Sequence, residues 1–125
     1  MASRSRNQGE LESQILGVLW DAQSAGTVQL TSQEVLDLLA PDGSLALTTV
    51  LTVLSRLVDK GLVARAPGTG RSLLFSATTS REQHDAGMLL KIFEGSQNPL
   101  LAFSHFADSL TPEQLAQLQQ SLNRD

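Results

Sequence analysis

The chain contains no cysteine and no tyrosine. The first absence excludes disulfides, thiolate metal sites and a cysteine nucleophile. Uninterrupted apolar stretches extend over only a few residues, too short for any segment to cross a bilayer. The opening Met1-Ala2-Ser3-Arg4-Ser5-Arg6 leads into polar residues rather than the apolar core of a secretion signal. A soluble, cytoplasmic protein without membrane insertion is expected. Basic residues are scarce: nine Lys and Arg stand against thirteen Asp and Glu, a net charge of −4 over 125 residues.

That sum hides an uneven distribution. Residues 1–81 carry seven basic and seven acidic side chains, whereas residues 82–125 carry two basic and six acidic ones. Within the first part, residues 48–81 hold Arg56, Lys60, Arg65, Arg71 and Arg81 against Asp59 alone. An acidic tail behind a locally basic segment points to two separate tasks.

Leu11, Ile15, Leu16, Val18, Leu19 and Trp20 recur at three- and four-residue steps behind Glu10 and Glu12. This is the pattern of an amphipathic helix with carboxylates near its positive end. Gly26 closes the connection that follows, and residues 27–30 alternate as a short strand would. Thr31 and Glu34 form a capping box for a second helix, with Val35, Leu36, Leu38 and Leu39 inward, stopping before Pro41. Pro41-Asp42-Gly43-Ser44 is turn chemistry.

Residues 45–60 are the most informative stretch. At ~100° per residue, Thr48, Thr49, Thr52, Ser55, Arg56, Asp59 and Lys60 share one arc of roughly 140°. Leu47, Val50, Leu51, Val53, Leu54, Leu57 and Val58 fill the other side, and Gly61 stands where a left-handed C-terminal cap belongs. Residues 62–66 and 73–77 read as strands around the basic, glycine-rich loop Pro67-Gly68-Thr69-Gly70-Arg71. Three helices and then a hairpin is the order of a winged helix–turn–helix. Ser80 and Gln83 cap a further helix through Phe93, and residues 95–99 break it. Residues 100–108 form a short helix, and Thr111-Pro112-Glu113-Gln114 opens a last one through Leu122.

The expected fold is therefore mostly α within the α+β class. A winged helix–turn–helix domain occupies residues 1–79, with 1–8 as an arm bearing Arg4 and Arg6, and an all-helical dimerisation segment occupies 80–125. A helix that enters a major groove offers short hydrogen-bonding side chains to base edges and cations to phosphates. Thr48, Thr49, Thr52, Ser55 and Arg56 suit that task, whereas a plain solvated face favours Glu, Lys and Gln over β-branched threonine. Lys60, Arg65 and Arg71 complete the candidate DNA-binding set, the last two on or beside a loop whose glycines permit close backbone approach. A nucleotide phosphate loop is not indicated, because no Lys-Ser or Lys-Thr pair opens a helix after those glycines.

No enzyme is expected. His84 and His105, each near a carboxylate (Asp85, Asp108), provide too few ligands for a zinc site. Ser104 and His105, adjacent on a helix, point in different directions. Neither metal nor cofactor is expected. The tail instead carries surplus apolar surface. Met88, Leu89, Ile92, Phe93, Leu101, Phe103, Phe106, Leu115, Leu118 and Leu122 are the candidate interface of a homodimer, with Leu90 and Leu110 in the same apolar pattern.

Residues 45–63, with Thr48-Thr49-Val50-Leu51-Thr52 and Ser55-Arg56-Leu57 running into Lys60-Gly61-Leu62-Val63, closely resemble the recognition helix of the penicillinase repressor family (BlaI/MecI/CopY-type winged-helix transcriptional repressors). Gly9-Glu10-Leu11-Glu12, Val18-Leu19-Trp20 and Gly70-Arg71 are similar too, as is Ala102-Phe103-Ser104-His105-Phe106 ahead of Leu110-Thr111-Pro112-Glu113-Gln114-Leu115. The resemblance implies a dimeric repressor on a palindromic operator of double-stranded DNA. It also implies a membrane sensor metallopeptidase that answers β-lactams and signals cleavage of the repressor's C-terminal region. Carried over, Thr48, Thr49, Thr52 and Arg56 read the groove and Arg71 is the wing contact. Departures are Leu47 where many relatives have an aromatic residue, and Leu73 and Phe75 where tyrosines are common. The Asn-Phe cleavage pair is absent, so no cut site is assigned. The copper branch's cysteine cluster is missing, which excludes copper sensing through thiolates. Two other readings stay open from the residues themselves: a winged-helix protein-interaction module, and a regulator that binds a small ligand between wing and tail.

Overall fold

In the computed structural model, which describes residues 7–123, six helices accompany a three-stranded antiparallel sheet. The order is α1 (Gln8–Ser24), β1 (Leu30–Thr31), α2 (Ser32–Leu39), α3 (Leu47–Asp59), β2 (Val63–Pro67), β3 (Leu73–Ala77), α4 (Arg81–Gly95), α5 (Pro99–Asp108) and α6 (Pro112–Leu122). These residues form two compact units, one ending at Gln83 and the other beginning at His84. Arg4 and Arg6 lie outside the described residues. Asn7 and Gln8, read as part of an arm, belong to α1: the Asn7 side chain caps the helix by accepting from the Glu10 amide at 2.7 Å.

The first unit is built around α3. Val50, Val53, Leu54 and Leu57 are buried against Leu11, Ile15, Leu16, Leu19 and Trp20 of α1, Val35 of α2, and Leu30, Val63 and Phe75 of the sheet. The strand order is β1-β3-β2, with Phe75 opposite both Leu30 and Arg65. The Thr31–Glu34 capping box forms as the sequence predicts, with bonds of 2.8 and 3.1 Å. Ser80–Gln83 and Thr111–Gln114 make the same reciprocal pattern at α4 and α6.

Other details differ from the sequence reading. The first strand is Leu30–Thr31, shorter than 27–30, because the chain wraps back on α1: the Thr27 amide donates to the Ala22 carbonyl at 2.8 Å after Gly26 turns at φ 97°. The second strand starts at Val63, because the Leu62 amide is used by the end of α3. Leu38, inward by its spacing, is 61% exposed. Leu51, on the buried side of α3 by its spacing, is 37% exposed.

The C-terminus of α3 is tightly fixed. Gly61 has φ 78°, its amide donates to Val58, and the Leu62 amide donates to Leu57 at 2.9 Å, which together satisfy the last carbonyls of the helix. The Thr78 hydroxyl donates to the Gly61 carbonyl at 2.8 Å, and the Thr78 amide to that of Leu62, clamping the helix end to the end of β3. Lys60 Nζ meets Glu12 Oε1 at 2.7 Å, tying the same end to α1. The Lys60 ammonium holds the Glu12 carboxyl below the ordinary carboxylate range; burial opposes this, while Gln8 and Arg56 assist. Trp20 fastens the residue after Thr78 to α1, its indole N–H donating to the Thr79 carbonyl at 2.8 Å. The Arg81 guanidinium lies over that indole, 5.5 Å from the ring centre, and bonds Asp21 at 2.8 Å.

In the second unit, none of the described residues of α4, α5 or α6 is buried. Asn98 caps α5 by accepting from the Leu101 amide, with Pro99 in the first turn, so the helix starts one residue ahead of the expected Leu100.

Leu54→Ala, which empties a fully buried position, is expected to lower unfolding stability by about 2–5 kcal/mol in urea titration. The Glu12–Lys60 pair is expected to show a coupling of about 0.2–1 kcal/mol at neutral pH in a Glu12→Gln, Lys60→Met double-mutant cycle. Because the folded-state pKa of Glu12 is lowered, its contribution is complete above the unfolded-state pKa. It fades as pH falls through the lowered value. A coupling unchanged at strongly acidic pH would show that the interaction is not ionic.

Candidate nucleic-acid interface

The side of α3 opposite the core presents Thr48, Thr52, Ser55 and Arg56, all exposed, with Thr49 half-buried at its margin. Their outward placement follows from the burial of Val50, Val53, Leu54 and Leu57: a helix fixed on one side must turn its other side out. The first turn of α3 has no acidic residue, and Ala46 provides no side-chain cap. The positive end of the helix dipole there has no carboxylate of its own first turn to quench it. Thr52 Oγ1–H donates to the Thr48 carbonyl at 2.9 Å.

The cations are not equivalent. Arg56 is exposed on the same side as the hydroxyls, in the last turn of α3. Lys60 is exposed but engaged by Glu12, so it is available to a phosphate only in competition with that carboxylate. Arg65 lies on β2, the outer strand of the sheet, opposite Phe75 in register and so on the same sheet face, yet exposed where Phe75 is buried. Arg71 is exposed in the loop joining β2 and β3.

That loop is shaped by its glycines and by Ser72. The Gly68 amide donates to the Ser72 carbonyl at 2.9 Å, and the Ser72 hydroxyl to the Thr69 carbonyl at 2.6 Å. A Cβ on Gly68 would stand 2.7 Å from Ser72 Oγ and 3.2 Å from Leu74 Cγ, and Gly70 turns at φ 65°. A side chain at either position would distort the turn that carries Arg71. Arg81, counted with the basic segment in the sequence, is bound to Asp21 at the base of α4.

Two features were not visible in the sequence. Glu12 and Lys60 are 48 positions apart, and nothing in the local pattern announces their pairing. Leu51 stands at the seam between the two sides of α3, where helical periodicity alone assigns it to either.

The helical unit holds its own apolar groove of about 510 Å³, lined by Leu89, Leu90, Ile92, Phe93, Ser96, Ala102, Phe103 and Phe106. The rings of Phe103 and Phe106 lie 6.1 Å apart at 52°. Of the expected interface residues, Leu89, Ile92, Phe93, Phe103 and Phe106 line this groove. Met88, Leu101, Leu115 and Leu122 are exposed outside it, and Leu118 is half-buried. His105 is exposed and His84 half-buried; among the described residues no group of three or more His, Asp or Glu side chains could hold a metal ion. No helix among them is long and apolar enough to cross a membrane.

Among curated proteins, none matches the chain. Two solved structures are similar at low identity. One, from work on the DNA recognition and protein interaction domains of HOP2, is 19% identical with a TM-score of 0.44, covering 54% of this chain and 97% of its own. The other, the zinc-responsive MarR family member ZitR of Lactococcus lactis, is 18% identical with a TM-score of 0.41, covering 98% of this chain and 74% of its own. At these scores neither likeness bears on what the chain does. The profile of the penicillinase repressor, by contrast, matches residues 8–124. Spanning nearly the whole of both compact units, that match shows that the chain belongs to the penicillinase repressor family.

Proposed function

We propose that the protein represses transcription in the cytoplasm as a homodimer on a palindromic operator. In this reading α3 enters the major groove and the β2–β3 loop grips the backbone. The observation that carries it is the exposed row of Thr48, Thr52, Ser55 and Arg56 on a helix whose opposite side is buried. Short hydroxyls suit base edges, and the guanidinium can make the bidentate contact that guanine accepts. Arg65 and Arg71 act on phosphate, while Lys60 joins them where the DNA backbone outcompetes Glu12.

Dimerisation through α4, α5 and α6 is supported by the exposure of Leu89, Ile92, Phe93, Phe103 and Phe106 around one groove. A helical unit this short, with none of its described residues buried, gains its core by meeting a second copy. Two reading helices per dimer select half-sites about one helical turn, or a multiple, apart. Family membership makes a membrane sensor metallopeptidase the natural upstream partner; a peptidase gene beside this one would support that.

Operator affinity is expected to fall ~10³–10⁵-fold between about 50 and 200 mM salt, as for ~6–10 phosphate contacts per dimer. A flat response would count against DNA binding. Arg56→Ala is expected to cost ~1–3 kcal/mol on the selected operator and less on unrelated DNA, whereas Arg71→Ala weakens all sequences alike and lowers the salt slope by about one. Sedimentation of the isolated protein is expected to give the dimer mass, and Phe103→Asp to shift it to monomer. If unbiased DNA selection enriched no motif, the winged unit would be a protein-interaction module instead.

A further inference from the structure

The polar side of α3 has an apolar border. Leu51 is 37% exposed, because Val50, Val53, Leu54 and Leu57 complete the contact with the core without it. On a helix its neighbours include Thr48 one turn back and Ser55 one turn ahead, so it borders the row proposed above to face DNA. Thr52 adds a second apolar element, on the row itself. Its hydroxyl proton is committed to the Thr48 carbonyl at 2.9 Å, so it offers a base edge only its methyl group and oxygen lone pairs. The middle of the row thus carries a methyl and its edge an isobutyl group, with Arg56 beyond.

In the major groove one base presents a hydrocarbon, the C5-methyl of thymine. Guanine and adenine present acceptors, or an acceptor and a donor, and cytosine a donor, none of which Leu51 can satisfy. We propose that Leu51 forms a thymine-methyl subsite at the edge of the row, giving each half-site a preference for an A·T pair at the position it meets. The preference arises from water excluded between hydrocarbon groups, and from the loss that follows when a polar base edge is placed against them unpaired. This rests on the DNA-reading role proposed above and adds to it a specificity-determining residue that makes no hydrogen bond.

The test replaces each thymine of the selected operator in turn by deoxyuridine, which removes the methyl and nothing else. Binding of the full-length protein is measured at fixed salt. At one or two positions per half-site the substitution is expected to weaken the wild-type protein about fourfold, the effect of uncovering one methyl-sized group. Leu51→Ala, with folding checked by circular dichroism, is expected to bind thymine and uridine operators equally. Leu51→Met, which keeps an apolar contact, is expected to retain the discrimination. Wild-type binding indifferent to every uridine, or a Leu51→Ala protein as sensitive as the wild type, would overturn the subsite while leaving the operator reading intact. Selection that enriches no motif would overturn both.

Discussion

One-sided burial of α3 governs what the protein can present. Val50, Val53, Leu54 and Leu57 drop into a core supplied by α1, α2 and the sheet, and the helix cannot rotate without lifting them out. A turn by even one residue, about 100°, would draw Val53 or Leu54 into water and push a threonine into the core. The outward row of hydroxyls and guanidinium is therefore set by hydrocarbon packing. Three further ties hold the end of the helix in register: the Gly61 cap, the Thr78 clamp and the Lys60–Glu12 pair. Rigidity of this kind suits recognition, since a contact held in place before binding loses less entropy on forming.

Much of this was legible before any coordinates. The order of helices and hairpin, three capping boxes and the glycine that ends α3 each rest on chemistry confined to a few neighbouring residues, so local reading reached them. What escaped depends on distance or on fine rotation. Glu12 and Lys60 meet across 48 positions. Leu51 and Leu38 lie at the seams of amphipathic helices, where periodicity resolves a face but not its border. The first strand was misplaced because the chain after Gly26 hydrogen-bonds back to α1, a preference that no alternation of residue types reveals. The exposed threonines were read from their chemistry, since β-branched hydroxyls are an uneconomical choice for a plain wet helix.

The two units divide the labour by charge as well as by packing. The first closes its own core and carries Arg56, Lys60, Arg65 and Arg71. The second closes none and carries most of the excess acid. Carboxylates there repel a phosphate backbone, which discourages DNA from binding the helical unit and leaves its hydrocarbon surface for association. A net charge of −4 is thus compatible with a nucleic-acid role, because the relevant field is that of the surface proposed to read DNA.

The solitary indole of the chain has a practical consequence. With one tryptophan and no tyrosine, near-ultraviolet emission comes almost wholly from Trp20, seated between the Thr79 carbonyl and the Arg81 guanidinium. Fluorescence then follows the melting of the first unit alone, while the far-ultraviolet helical signal sums both. Any divergence between the two spectroscopic curves is a direct reading of how far the second unit loosens independently, obtained without a label.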